Sequence, residues 1–280
     1  MSIEVILTVR FVSCLVDCPT DSSRRGDLSS GEPSSSVKPS SKGKTPSPTA
    51  KKLAEEVFPG SNILVRGSIP RGMILLIGPP GSGKSVFCKQ FIYSGLLKGE
   101  PAFIVLTDES PSKLQHHMKN LGLDITPFSS MIRIVDCYSW RTGTESTSDY
   151  YVRDMGVVNE VSIAIDKASQ GLRNCRFVLD SVTNLTMNCG VEHVSRFLQV
   201  LSARISEIGG LGILVLTSGV HSEKFENYLK SICDGVFEMS VETVEDALIR
   251  KFRIYSLKGV THSADWIRFR VTDRGIVFEL

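Results

Sequence analysis

The chain has 280 residues, 41 % of them hydrophobic and 22 % charged, with a formal net charge of +2. That length allows one sizeable α/β domain plus a tail, or two small domains. The charge balance argues neither for nor against nucleic acid, although a protein dedicated to coating it is more basic, and no run reaches the ~18 apolar residues of a membrane span.

Residues 3–16 are apolar but short, are interrupted by Glu4 and Arg10, and lead to no small-residue cleavage site. They read as a spurious upstream start or a loosely docked strand rather than a secretory signal. Residues 19–50 are rich in Ser, Pro, Gly and Lys and carry Arg24, Arg25, Lys38, Lys42 and Lys44. Such a stretch buries too little apolar surface to offset its ordering entropy, so residues 1–50 are expected to be a disordered tail. The bland reading of its charges is a solvated linker; an anionic contact or a phosphorylated tail is the sharper one.

From Lys51 the pattern changes, and 51–280 reads as one folded domain. A short helix is expected at 51–57 and a strand at Met73–Ile77. A helix at Val86–Leu97 follows, then a strand at Ala102–Thr107, a helix at Ser112–Leu121 and a strand at Ile132–Asp136. Val157–Gly171 is expected to be helical, Arg176–Asp180 a strand, Val191–Ile208 a helix and Leu211–Thr217 a strand; a short turn precedes Val191. Short apolar runs alternating with helices predict a mainly parallel sheet flanked by helices. Beyond Gly235 the order becomes strand, turn, strand over Val236–Met239, Ala247–Lys258, Trp266–Val271 and Ile276–Glu279, with a tight turn at 272–275. That end is expected to extend the sheet with antiparallel strands.

Gly78-Pro79-Pro80-Gly81-Ser82-Gly83-Lys84-Ser85 fits the phosphate-loop pattern GxxxxGK[ST] in full, after a strand and at the start of a helix. Glycine lets backbone N–H groups turn inward around a phosphate where a Cβ would collide. Lys84 places a point charge on the β- and γ-phosphates, Ser85 offers a hydroxyl to Mg²⁺, and the helix points its positive end at the same anion. Hydrolysis also needs a second metal group and one that orients water. Asp180 closes the apolar strand Phe177–Leu179, the place for a carboxylate that holds Mg²⁺ through water. Asp108 and Glu109 follow the strand 102–107, at the carboxyl edge where open α/β sheets bind ligands. Glu109 is the candidate general base, with Asp108 beside it; Ser110-Pro111-Ser112 also suits a helix start. Thr217, at the end of its strand, is either a γ-phosphate sensor or a plain strand-end threonine. The guanine reader Asn-Lys-x-Asp is absent, which favours ATP.

The seven cysteines, at 14, 18, 88, 137, 175, 189 and 233, form no CxxC pair. They read as thiols of a reducing cytoplasm, with Cys88, Cys137 and Cys175 buried. His116 and His117 diverge on a helix and have no zinc spacing.

On these residues the chain resembles the KaiC-like branch of the RecA superfamily of P-loop ATPases. Gly67-Ser68-Ile69-Pro70-Arg71-Gly72 is similar to that family's lead-in to the phosphate loop, Thr107-Asp108-Glu109-Ser110-Pro111 to its paired acids, and Leu179-Asp180-Ser181-Val182-Thr183 to its metal-strand element. Leu257-Lys258-Gly259 with Thr261-His262, then the closing run Phe269–Gly275, completes the match over 58–280. The resemblance implies an ATPase whose subunits form a ring, usually a hexamer, with Mg-ATP between neighbours. It implies that Lys258 takes the second place of a basic pair reaching the adjacent subunit's phosphates, while Ser256 stands where the first is expected. One hydroxyl, Ser231, remains where the phosphorylating domain of the family carries two. Single-domain relatives are associated with signalling, with an unknown protein partner. Two other readings stay open. One is a recombination or DNA-repair accessory ATPase, disfavoured because the segment Arg141–Tyr151 is not basic; the other is a nucleotide-dependent scaffold with negligible turnover.

Overall fold

The computed structural model describes Leu53, residues 55–245 and residues 247–279. The expected tail at 1–50 lies outside the described residues, as do Lys51, Lys52 and Ala54 of the helix expected at 51–57; Leu53 and Glu55 are helical.

After α1 (Ser61–Leu64) and β1 (Val65–Arg66), the chain runs through β2 (Gly72–Gly78), α2 (Lys84–Leu97), β3 (Ala102–Leu106), α3 (Pro111–Asn120), β4 (Ile132–Asp136) and β5 (Tyr150–Tyr151). It continues with α4 (Val158–Ser169), β6 (Arg176–Asp180), α5 (Val182–Cys189), α6 (Val191–Glu207), β7 (Leu211–Thr217) and α7 (Glu223–Ile232). The last part is all strand: β8 (Gly235–Val244), β9 (Ala247–Leu257), β10 (Thr261–His262), β11 (Ile267–Thr272) and β12 (Gly275–Phe278).

Ten strands form one sheet in the order β12-β11-β9-β8-β2-β7-β6-β3-β4-β5. From β8 to β5 every neighbouring pair is parallel; β8–β9, β9–β11 and β11–β12 are antiparallel. This is the expected α/β architecture with an antiparallel extension. The central strands β2, β3 and β6 are buried along their whole length, as continuous apolar runs in a sheet covered on both faces must be. One core lies between the sheet and α2, with Phe58, Phe87, Phe91, Phe237 and Phe252; the other lies under α4, α5, α6 and α7.

Besides the short elements α1, β1, β5 and β10, which the sequence reading did not contain, two longer helices differ from it. The stretch before Val191, expected to be a turn, is the helix α5, capped by Ser181, whose hydroxyl accepts from Asn184 N at 3.3 Å. Its Thr- and Asn-rich sequence has low helix propensity, and burial of Val182 and Leu185 holds it. Helix α7 has no counterpart in the reading. Ser222 caps it, and Phe225 and Leu229, four residues apart, form its short buried stripe.

Candidate functional site

Because β2, β7, β6 and β3 run parallel, their carboxyl ends gather at one edge of the sheet. The loop between β2 and α2 sits there, and its glycines are required by geometry. A Cβ on Gly78 would lie 2.6 Å from the Met239 carbonyl oxygen, and Gly83 has φ 95°, which L side chains rarely adopt. The first intrahelical bond of α2 runs from Phe87 N to Gly83 O, so the N–H groups of Lys84, Ser85 and Val86 have no partner within the helix. Lys84 Nζ donates to the carbonyls of Gly78 at 2.7 Å and Pro79 at 2.8 Å. Burial lowers its pKa, opposed by the charges of Asp180 and Asp108 and by Cys88. The Ser82 hydroxyl is buried with no hydrogen-bond partner among the described residues. A glycine-cleared cradle with free amides, a cation and an orphaned hydroxyl fits a phosphate chain.

Asp180 ends β6 beside this loop. Burial, followed by the charge of Asp108, raises its pKa to about 6, while the nearby Ser85 hydroxyl and the Lys89 cation oppose the shift. A buried carboxylate against a serine hydroxyl and a second acid is a donor set that suits Mg²⁺, whose preference is for oxygen. The peptide between Asp180 and Ser181 is cis. Thr107 joins the ends of β3 and β6: Ser181 N donates to its Oγ1 at 2.7 Å, and that hydroxyl lies 3.2 Å from Asp108 Oδ1 as donor.

The paired acids diverge. The Asp108 side chain is exposed, and its charge acts on both Asp180 and Lys84. Glu109, whose charge also acts on Asp180, is engaged on both oxygens: its Oε1 accepts from Lys89 Nζ at 2.7 Å, and its Oε2 lies 2.6 Å from His117 Nδ1. Ser110-Pro111 does start a helix, with Ser110 accepting from Lys113 N. Thr217 is set by its backbone, its N–H donating to Thr183 Oγ1 at 2.8 Å, and the next amide, Ser218 N, donates to Gly78 O at 3.1 Å.

The structure therefore gathers Lys84, Ser85, Asp108, Glu109 and Asp180, with the rest of 78–85, at one edge. It does not bring Lys258 there. Lys258 follows β9, which is antiparallel to β8, so it lies at the opposite edge, where its exposed Nζ is 3.5 Å from Asp234 Oδ1. Ser231, exposed at the end of α7, precedes β8 and lies toward that same edge. Three contacts escape the sequence reading: Lys89 and His117 on Glu109, and Arg250 of β9, whose Nε donates to Gly81 O at 2.9 Å. Lys89 carried a signal, since it lies four residues after Ser85 on one helix face; the other two depend on tertiary packing. Among the described residues no group of three or more His, Cys, Asp or Glu is placed to hold a metal by itself.

A folded pKa of about 6 against an ordinary 3.8 means that the fold favours protonated Asp180. Its stabilising effect is complete below the ordinary value and is lost as pH rises through the folded one. Above that, the charge costs up to about 3 kcal/mol. Asp180→Asn, which is neutral at every pH, is therefore expected to melt several degrees above the parent at pH 7.5 without nucleotide or Mg²⁺, and close to it at pH 4. Thermal unfolding at the two pH values checks this, and a variant less stable at pH 7.5 contradicts it.

A model of the family described as "ATPase: KaiC" matches residues 58–279. A UPF0273 protein of Thermotoga maritima is 30 % identical over 225 residues, covering 79 % of this chain and 93 % of that one. A UPF0273 protein of Pyrococcus horikoshii is 30 % identical over 225 residues, covering 79 % and 91 %. The crystal structure of a KaiC-like protein from Pyrococcus horikoshii superimposes with a TM-score of 0.60 at 22 % identity, covering 79 % of this chain and 94 % of that one, a likeness of fold. With its phosphate loop, its strand-end acids and a match running from Phe58 to Glu279, the chain belongs to the KaiC family of ATPases.

Proposed function

We propose that the chain binds Mg-ATP on residues 78–85, hydrolyses it slowly, and uses the bound nucleotide to control assembly into a ring in a signalling or regulatory role. The observation that carries this is the buried carboxylate of Asp180 set against the Ser85 hydroxyl, beside a phosphate-loop cation. Lys84 leaves its carbonyl partners for the β- and γ-phosphates, and the free amides of α2 take the remaining oxygens. Mg²⁺ would neutralise phosphate charge between Ser85 and Asp180. Asp108 and Glu109 are the acids available to take the proton of an attacking water. The scaffold reading is favoured by one observation, the engagement of both Glu109 oxygens.

Assembly rests on Lys258. Its distance from its own phosphate loop and its exposed position suit a contact made outside the chain. A ligand that binds only the assembled state drives association by mass action. Loss of one charge-assisted contact, here through Ser256, weakens that drive by roughly 1.5–3 kcal/mol. The free thiols of Cys88, Cys137, Cys175, Cys189 and Cys233 suit a reducing cytoplasm, and among the described residues no helix is long and apolar enough to cross a membrane.

Mass by light scattering and phosphate release, measured in one sample with Mg-ATP, test the reading. Slow release is expected, with a monomer or dimer growing to larger rings; Lys258→Ala lowers both and Ser256→Lys raises both. A monomer at every ATP concentration, with Lys258→Ala indistinguishable from the parent, overturns the ring. Assembly without phosphate release selects the scaffold.

A further inference from the structure

The antiparallel extension turns one face to α2, with Met239, Phe252, Ile254 and Phe269 in that core. Successive strand residues point to opposite faces, so Ser240, Lys251, Arg253, Arg268 and Arg270 stand on the other one. The register sets them in rows. Ser240 is opposite Lys251, and Lys251 is opposite Arg268, one residue from each of β8, β9 and β11.

The acids of this face are already matched. Glu238 accepts from Arg253 at 2.6 and 2.8 Å and from Lys230 at 3.0 Å. Glu242 accepts from Lys251 at 2.6 Å, and Glu279 accepts from Arg270. Arg268 is the cation left over: it is exposed, and among the described residues no hydrogen bond or ion pair engages its side chain. It also stands directly across from another cation, an arrangement that destabilises a sheet. In the same row the Ser240 hydroxyl is buried with no hydrogen-bond partner among the described residues. Two opposed cations beside an orphaned hydroxyl oppose folding by themselves; an anion set among them reverses the sign of all three effects.

The donors indicate which anion. A guanidinium fork, an ammonium and a hydroxyl, one from each strand, match the three terminal oxygens of a phosphoryl group. Its charge of about −1.5 to −2 at neutral pH lets Lys251 serve it while Glu242 stays close. A nucleic-acid strand is disfavoured, because the rings that would stack its bases are taken. Arg253 lies 5.4 Å from the Tyr255 ring centre and 4.6 Å from that of Trp266, and Lys230 lies 5.1 Å from that of Tyr255.

We propose that Ser240, Lys251 and Arg268 form a binding site for a phosphoryl group, free or carried on a phosphorylated side chain, with Arg270 two residues along β11 as a supporting cation. The site is separate from residues 78–85. Phe269, next to Arg268, points toward the phosphate loop, where a Cβ on Gly83 would lie 3.3 Å from its ring, so Arg268 points away from that loop.

Calorimetric titration tests the site on the full chain, and again on the full chain carrying Lys84→Ala, which removes phosphate taken by residues 78–85. The probes are inorganic phosphate, a short phosphoserine peptide and the same peptide unphosphorylated, at one ionic strength. A dissociation constant of about 1 mM or tighter is expected for a phosphorylated probe, with none for the plain peptide. A phosphopeptide bound more tightly than phosphate identifies a phosphorylated chain as the source, and equal affinities identify the free ion. Arg268→Gln and Lys251→Gln should each weaken binding about tenfold or more. Lys224→Gln, which removes an exposed lysine of α7, should not. In phosphate-free buffer Arg268→Gln is expected to melt no lower than its parent, since a like charge is relieved. No binding of either phosphorylated probe, affinity unchanged in Arg268→Gln, or a lower melting temperature of that variant without phosphate overturns the site. A single-stranded oligonucleotide that binds more tightly than both probes, and is weakened by Arg268→Gln, overturns it in favour of a nucleic-acid surface.

Discussion

Lys84→Ala is expected to weaken Mg-ATP binding by about 10²–10⁴-fold and to leave the fold intact. Lys84 Nζ is held 2.7–2.8 Å from two loop carbonyls, at the head of a helix whose first amides are unpaired within it. Charge-assisted hydrogen bonds to the β- and γ-phosphates are worth roughly 1.5–3 kcal/mol each. Two of them, at about 1.4 kcal/mol per tenfold, give that loss. The fold should survive because the folded protein disfavours this charge: burial depresses the Lys84 pKa, with Asp180, Cys88 and Asp108 opposing it. A lysine whose folded pKa lies below its ordinary value destabilises the fold while charged. Its removal costs side-chain packing and relieves that penalty, so a small change in melting temperature is expected. Calorimetric titration with Mg-ATP beside a thermal melt separates the two effects. A folded variant with unchanged affinity would remove residues 78–85 from the site.

Much of this site could be read from residue types alone, for a physical reason. Strands buried on both faces need no alternation, so Met73–Ile77, Ala102–Leu106 and Phe177–Leu179 appear as plain apolar runs, and each ends at the residue that matters. Parallel pairing then brings Gly78, Asp108 and Asp180 to one edge without any further information. Facts that depend on which way a side chain turns were not legible. Asp108 and Glu109 are neighbours with the same chemistry, and only the packing of α2 and α3 directs Glu109 to Lys89 and His117 and leaves Asp108 exposed. Arg250 lies 169 residues from Gly81, in the antiparallel extension, and meets the loop only because β8 pairs with β2. Helix α5 was hidden for a similar reason, since Thr183, Asn184 and Thr186 are poor helix formers and its packing decides.

A second buried charge lies at the opposite end of β6. Arg176 is 1 % exposed; its Nε donates to Glu100 Oε2 and its Nη1 to the Val57 carbonyl, and its guanidinium lies 4.6 Å from the Phe91 ring centre. Gly95, in the last turn of α2, makes room for it: a Cβ there would come within 2.4 Å of Arg176 Cγ. One guanidinium therefore ties β6, α2 and the segment before α1 together. Glu100 is its acid; burial alone would raise the carboxyl pKa, but the charge and hydrogen bond of Arg176, with help from Arg71, hold it below the ordinary value. A depressed carboxylate adds stability that is present above its ordinary pKa and is lost as pH falls through the folded one. Glu100→Ala leaves a cation buried without its counter-charge, a loss of about 3–5 kcal/mol. Arg176→Met removes the charge itself, fills similar volume, and leaves Glu100 bonded to Arg71 at 3.0 Å, so it should cost distinctly less. Urea unfolding of both variants at pH 7.5 orders them, and at pH 3.5 the gap between the parent and Glu100→Ala should narrow. If Arg176→Met proves the more damaging, the guanidinium stabilises through its stacking on Phe91 and its bond to Val57, and the charge pair is secondary.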